Sequence, residues 1–136
     1  MVENVAPTDV WTALSADPAA VLVDVRTDAE WNFVGVPDLS SVGKETLLIS
    51  WQSYPRMEVN ADFVGHLKRA GVGPEQSVYF ICRSGARSMA AAQAAAQAGY
   101  RRVFNVATGF EGGLDGTKHR GTVGGWKADG LAWKQG

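Results

Sequence analysis

Apolar runs and amphipathic stretches alternate along the chain. Four apolar runs have the length and β-branched content of buried strands: "AVLVDV", "TLLIS", "SVYFI" and "RVFNV". Three longer stretches between and before them have helical periodicity: "TDVWTALSADP", "ADFVGHLKRAG" and "ARSMAAAQAAAQAG". Strands that alternate with helices predict an α/β domain, in which a mainly parallel central sheet is flanked by helices on both faces.

Local signals predict where several of these elements begin. Thr27 and Glu30 have the spacing of a capping box, so a further short helix should start directly after "AVLVDV". Thr8 is predicted to open the helix "TDVWTALSADP", and Asn60 is predicted to cap the helix "ADFVGHLKRAG". The segment "WQSYPRMEV", which contains Pro55, is predicted to be a loop, and the glycine-rich chain from Ala107 onward is expected to be irregular.

Length and composition exclude several classes of protein. A chain of 136 residues fits a single domain over 1–136, and a net charge of -1 gives no reason to expect nucleic acid or an anionic membrane as a partner. No apolar run approaches a membrane span, and "MVENVAPTDV" lacks the features of a signal peptide. We therefore expect a cytoplasmic protein, in which a single cysteine stays reduced.

That cysteine, Cys82, follows "SVYFI" and immediately precedes a helix. Open α/β sheets bind ligands at the carboxyl ends of their strands, and a helix N-terminus favours an anion. Gly85 permits a tight loop with inward N–H groups, and Arg83 and Arg87 add two cations. These effects favour a thiolate at Cys82 and attract a small anion.

Structural roles compete with these functional interpretations. A free cysteine is often a core residue, and the two arginines could be solvated surface charges. Ser84 and Ser88 can offer hydroxyls to an anion, although Ser88 could equally cap the helix. Asp24 lies near the end of the first buried strand, and Arg26 follows it. Arg26 is expected to pair with Asp28 or Glu30 and fix the turn. Alternatively, Asp24 and Arg26 lie near the Cys82 loop at the strand ends.

Three segments resemble a known family in their order and spacing. "CRSGARS" resembles the active-site loop of the rhodanese family of sulfurtransferases, and "VLVDVRTDAEW" resembles that family's Asp-Val-Arg stretch. "GGWKADGLAW" is similar to its closing segment. The resemblance implies a three-layer α/β domain with a five-stranded sheet, and no metal or organic cofactor.

The resemblance also implies a reaction. Cys82 would take a sulfane sulfur from a small anionic donor such as thiosulfate, carry it as a persulfide, and give it to an external acceptor. That acceptor would be a thiol or cyanide, and a sulfur-accepting protein is a candidate partner. The donor would be bound by the loop residues, with two supporting residues behind them: Arg83, Ser84, Gly85, Ala86, Arg87 and Ser88, supported by Asp24 and Arg26.

Two other functions stay open at this stage. A phosphatase of the related cell-cycle type, or an arsenate reductase, uses a Cys-x5-Arg loop wide enough to ring a phosphate. Cys82 and Arg87 are one residue closer together than that, which fits a single sulfur better. A non-catalytic module for binding or sulfur sensing is the second alternative, although such modules commonly lose the cysteine that this chain keeps.

Overall fold

The computed structural model describes residues 2–53, 56 and 58–135. Its strands, in chain order, are β1 (Glu3–Val5), β2 (Val21–Asp24), β3 (Val36–Pro37), β4 (Leu47–Leu48), β5 (Gln52–Ser53), β6 (Glu58–Val59), β7 (Ser77–Ile81), β8 (Arg102–Val106) and β9 (Trp133–Lys134). Its helices are α1 (Pro7–Ala16), α2 (Asp28–Phe33), α3 (Phe63–Arg69) and α4 (Ala86–Gln97). Five strands form one sheet in the order β1-β8-β7-β2-β4, and every neighbouring pair is parallel.

Helices cover both faces of this sheet. Side chains alternate between the two faces of a strand, so Val78 and Phe80 of β7 pack in one core with α3 and α4. Tyr79 and Ile81 of the same strand pack in a second core with α1. The α/β class, the parallel central sheet and the three layers that the sequence predicts are confirmed.

Several boundaries differ from the predictions. Strand β1, which pairs with β8, was not predicted, because three residues are too few to display a period. Helix α1 begins at Pro7 instead of Thr8, since the fixed φ of proline suits the first helical position. Asn60 does not cap α3: the cap position is Asp62, whose N–H donates to Asn60 Oδ1 at 3.0 Å.

Two segments predicted to be irregular contain short antiparallel pairs. Strands β5 and β6 pair within the predicted loop at 51–59, whose Pro55 lies outside the described residues. Strand β9 pairs with β3 near the C-terminus. No helix in the described part of the chain is long and apolar enough to cross a lipid bilayer.

Two helices begin at the same edge of the sheet. Helix α2 follows β2, and α4 follows β7, so both N-termini lie at the carboxyl ends of adjacent parallel strands. The predicted capping box is present at α2: Glu30 N–H donates to Thr27 Oγ1 at 3.4 Å, and Thr27 N–H donates to Glu30 Oε1 at 3.3 Å. This edge carries the candidate site.

Candidate active site

Cys82 lies between β7 and α4, at the carboxyl edge of the sheet, and only 1% of it is exposed. Its Sγ accepts a hydrogen bond from the N–H of Gly85 at 3.1 Å. The hydroxyl of Ser88, in the first turn of α4, lies 3.2 Å from the same sulfur. The thiol therefore lies against the N-terminus of α4, where a negative charge on sulfur is favoured.

The carbonyl groups of the loop are held on its outer side. Phe110 N–H donates to the carbonyl oxygen of Cys82 at 2.8 Å, and Glu111 N–H donates to that of Arg83 at 2.9 Å. In a trans peptide the following N–H points away from the carbonyl oxygen. The N–H groups of Arg83 and Ser84 are consequently turned away from the segment at 110–112, on the side opposite to these carbonyls.

Two glycines allow this close packing of backbone on backbone. Gly85 has φ +115°, and a Cβ there would lie 2.5 Å from the carbonyl oxygen of Ala107. Gly109 has φ +66°, and its Cβ would lie 2.6 Å from the carbonyl of Arg83. Gly85 was a predicted site residue; Gly109 was missed, because its role depends on a segment far from the loop in sequence.

Ser88 contacts the sulfur and is not a cap. The cap position of α4 is Gly85, so of the two roles that the sequence left open for Ser88, the cap is the wrong one. Its buried hydroxyl lies 2.5 Å from Oδ1 of Asn105 on β8. Asn105, which is 3% exposed, donates from Nδ2 to the carbonyl oxygen of Gly85 at 3.1 Å. Sequence reasoning missed Asn105, although a polar residue inside the apolar run "RVFNV" was a signal for it.

Arg87 forms a bidentate ion pair with Glu30, at 2.6 and 2.8 Å. The pair is partly buried and joins the N-termini of α2 and α4. Burial alone would raise the pKa of Glu30, but the hydrogen bonds and positive charge of Arg87 lower it below its usual 4.5. The carboxylate of Glu30 in turn raises the pKa of Arg87.

Arg26 pairs with Asp24, so the predicted pairing of Arg26 with Asp28 or Glu30 is wrong. The two side chains are fully buried, with 2.6 Å between Nη2 and Oδ2. Arg26 Nη2 also donates to the carbonyl oxygen of Gly35 at 2.7 Å, and its guanidinium lies 4.3 Å from the centre of the Phe110 ring. The pair therefore supports the segment that holds the Cys82 loop.

A cavity of about 440 Å³ opens beside the loop. Three cations and two carboxylates line it: Arg83, Arg87, Arg120, Glu30 and Glu111. Arg83 is exposed, Ser84 is half-buried, and Ala86 is exposed at the first position of α4. The cavity thus has a net positive lining.

The 108–125 segment, whose role the sequence left open, supplies Arg120 to this cavity. Arg120 donates to the carbonyl oxygen of Gly112 at 2.8 Å. The carboxylate of Asp115 orders the segment by accepting hydrogen bonds from three residues: Thr122, His119 and Thr117. These hydrogen bonds hold the pKa of Asp115 well below its usual range, and the bond from the Thr122 hydroxyl has the largest effect.

Comparison with known proteins identifies the family. A sequence model of the rhodanese-like domain matches residues 6–115. The chain belongs to the rhodanese-like domain family. An uncharacterized protein of Rickettsia conorii, RC0915, is 34% identical over 133 residues, which cover 98% of each chain.

Solved structures contain the same rhodanese-like fold. The crystal structure of Rv0390 from M. tuberculosis has a TM-score of 0.90 and 47% identity, over 99% of this chain and 98% of that one. The polysulfide-sulfur transferase of Wolinella succinogenes has a TM-score of 0.66 and 21% identity, over 99% of this chain and 80% of that one. At that identity the second likeness shows the fold alone.

This rhodanese-like domain brings the predicted residues Cys82, Gly85 and Ser88 together around one sulfur, and places Arg87 in the first turn of α4, paired with Glu30. Asp24 of β2 lies opposite Ile81 of β7, and Ile81 is the residue immediately before Cys82. Within residues 2–53, 56 and 58–135, no cluster of three or more His, Cys, Asp or Glu side chains could hold a metal ion.

Replacing Glu30 by Gln tests the ion pair with Arg87. Gln also serves in a capping box, so the start of α2 should survive while the charge is lost. Because folding lowers the pKa of Glu30, its stabilisation is complete above the usual 4.5 and disappears as the pH falls through the lowered value. We expect Glu30→Gln to lose about 1 kcal/mol of unfolding free energy at pH 7, and the difference from wild type to shrink in acid. Urea unfolding at several pH values measures it.

Glu75→Gln is the matched control, since Glu75 and Arg101 are highly exposed and 3.7 Å apart. Its unfolding curve should overlay that of the wild type at every pH. A Glu30→Gln deficit that stays constant down to pH 3 would contradict the electrostatic origin of the stabilisation.

Proposed function

We propose that this rhodanese-like domain is a sulfurtransferase in which Cys82 accepts a sulfane sulfur from thiosulfate and carries it as a persulfide. The observation that supports this most directly is the hydrogen bond of 3.1 Å from the Gly85 N–H to Cys82 Sγ, at the N-terminus of α4. A buried sulfur with an N–H donor beside it suits chemistry in which the charge on sulfur changes.

The first half-reaction is a displacement at sulfur. The Cys82 thiolate attacks the outer, sulfane sulfur of thiosulfate, a new S–S bond forms, and the bond to the sulfonate sulfur breaks. Sulfite leaves with the electron pair of that bond, and the negative charge remains on the terminal sulfur of the persulfide. The N–H of Gly85 and the free N–H groups in the first turn of α4 stabilise charge throughout this step.

The positive lining of the cavity suits an anionic donor. Arg83 is exposed and available to the sulfonate end, and Arg120 approaches from the 108–125 segment. Arg87 is already paired with Glu30, so it contributes its field near Cys82 while the pair holds the loop in place. Arg83 and Arg120 are therefore the primary donor-binding residues in this proposal.

The second half-reaction needs an external acceptor. Cyanide or a thiolate attacks the terminal persulfide sulfur, and the Cys82 thiolate leaves with the electron pair. Because the chain has one cysteine, it cannot release the sulfur by forming its own disulfide. Alternation of donor and acceptor predicts ping-pong kinetics.

Intact-mass spectrometry of the purified protein tests this proposal. The protein and Cys82→Ser are each incubated with thiosulfate, and separately with inorganic polysulfide, which the likeness to the Wolinella succinogenes enzyme makes worth including. We expect the wild type alone to gain the mass of one sulfur, and cyanide to remove that sulfur as thiocyanate. Gain with polysulfide but not with thiosulfate would retain the transferase and replace the donor.

Absence of any gain would overturn the proposed activity. Hydrolysis of p-nitrophenyl phosphate, lost in Cys82→Ser, would then support the phosphatase alternative that the short Cys-x4-Arg loop disfavours. Absence of both reactions in a folded protein would support the binding or sulfur-sensing module.

A further inference from the structure

The hydroxyl of Ser88 has one hydrogen and two neighbours that could accept it. Its Oγ lies 3.2 Å from Cys82 Sγ and 2.5 Å from Asn105 Oδ1. All three side chains are buried. A single hydroxyl hydrogen can make only one of these two bonds well.

The orientation of the Asn105 side chain decides which bond forms in the resting protein. Asn105 Nδ2 lies 3.1 Å from the carbonyl oxygen of Gly85, which can only accept, and 3.0 Å from Asn4 Oδ1. The amide nitrogen must therefore face Gly85, and Oδ1 must face Ser88. Because Oδ1 cannot donate, the short bond to it takes the hydrogen of Ser88.

With its hydrogen committed to Asn105, Ser88 Oγ can only accept from Cys82. The chain of bonds then runs from the Cys82 S–H to Ser88 Oγ, and from the Ser88 O–H to Asn105 Oδ1, which is the arrangement of a neutral thiol. Once the sulfur is a thiolate it has no hydrogen to give. The Ser88 hydroxyl must then rotate and donate to the sulfur, which breaks its bond to Asn105.

We propose that Asn105 is a positioning residue that competes with Cys82 for the hydroxyl hydrogen of Ser88, so that Ser88 switches between holding the thiol and stabilising the anionic sulfur. The significance for catalysis rests on the proposed function, since the same rotation would serve the persulfide anion. The switch itself concerns only the thiol and can be measured without any sulfur donor.

Other charged groups surround the sulfur and stay unchanged in this comparison. Arg87, in the first turn of α4, is paired with Glu30 from α2. Arg83 belongs to the loop itself. Other charged residues that the described part of the chain places on this side of the sheet include Arg26, paired with Asp24 on β2, and Glu111 and Arg120 from the segment after β8. Ser88 and Asn105 carry no charge, so replacing either of them leaves all of these charged residues in place.

Two substitutions should move the reactivity of Cys82 in opposite directions. The rate of alkylation by iodoacetamide is measured against pH, which gives the pH at which half of the thiol has ionised. Ser88→Ala removes the donor to the thiolate, and we expect this midpoint to rise by about 0.5 to 1 pH unit. Asn105→Leu removes the competing acceptor, so the midpoint should fall by a similar amount.

The double variant separates positioning from a general loss of structure. If Asn105 acts through Ser88, then Ser88→Ala combined with Asn105→Leu should have the midpoint of Ser88→Ala alone. Asn4→Ala is the matched control, because exposed Asn4 contacts Asn105 at the end away from Ser88, and its midpoint should equal that of the wild type. Midpoints that rise in both single variants, or shifts that add in the double variant, would overturn the proposal.

A second measurement needs no change at Asn105, in case Asn105→Leu does not fold. The side-chain amide of Asn105 is followed by nitrogen-15 NMR as Cys82 ionises in the wild type and in Ser88→Ala. We expect its signal to move with the Cys82 midpoint in the wild type and to stay in place in Ser88→Ala. Equal movement in both proteins would overturn the switch. Either result leaves sulfur loading by thiosulfate as a separate question.

Discussion

Replacing Asp24 by Ala is expected to lower the free energy of unfolding by about 3 to 5 kcal/mol. Arg26 is fully buried, and Asp24 is the carboxylate that compensates its charge. Arg26 Nη1 already lacks a partner among the described residues, so the guanidinium has no reserve of hydrogen bonds when Asp24 is removed. Urea unfolding at pH 7, followed by circular dichroism, measures the loss.

Two further variants show whether charge or volume is responsible. Asp24→Asn keeps the size and one oxygen acceptor but removes the charge. Its free energy of unfolding should lie between that of the wild type and that of Asp24→Ala. Glu75→Ala removes the carboxylate of an exposed pair with Arg101, and should leave the unfolding midpoint unchanged. Equal losses for Asp24→Ala and Glu75→Ala would contradict the assigned role of the buried pair.

The buried pair also connects stability to the site. Arg26 binds the carbonyl of Gly35 and lies on the ring of Phe110, whose N–H holds the carbonyl of Cys82. Loss of Asp24 should therefore loosen the segment that holds the loop. We expect the surviving folded fraction of Asp24→Ala to load sulfur more slowly than the wild type.

Local signals explain which parts of the fold the sequence could predict. Four of the five central strands lie within apolar runs of the sequence, and the capping box of Thr27 and Glu30 lies within four residues. The position of Cys82 at the carboxyl edge of the sheet follows from the strand before it and the helix after it. Each of these inferences depends on residues that are neighbours in sequence.

Pairings between distant residues were not predicted. Glu30 and Arg87 are 57 positions apart, and Ser88 and Asn105 are 17 apart on different elements. A helical pattern cannot reveal that Glu30 serves both a capping box and an arginine of another helix. The left-handed residue Gly85 is the cap position of α4, so Ser88 lies within the first turn and contacts the sulfur, a choice between two roles that the sequence left open.

Replacing Gly85 by Ala is expected to lower the kcat/KM of sulfur transfer by about 100-fold. Its φ of +115° is one that residues with a Cβ rarely adopt, and the added Cβ would lie 2.5 Å from the carbonyl oxygen of Ala107. Relief of this contact requires the backbone to move. The N–H that moves with it is the one that donates to Cys82 Sγ. Steady-state kinetics with thiosulfate and cyanide measure the effect.

Gly43→Ala separates the cost of the backbone conformation from the effect on the site. Gly43 also has a positive φ, +73°, but a Cβ added there would meet nothing within 4 Å, and the residue lies outside the Cys82 loop. This variant should lose about 1 kcal/mol of stability and keep full activity. If Gly85→Ala lost stability to the same degree and remained fully active, the Gly85 N–H would not be needed to position the sulfur. A loss of kcat/KM in Gly85→Ala alone would instead place its effect on the loop geometry around Cys82.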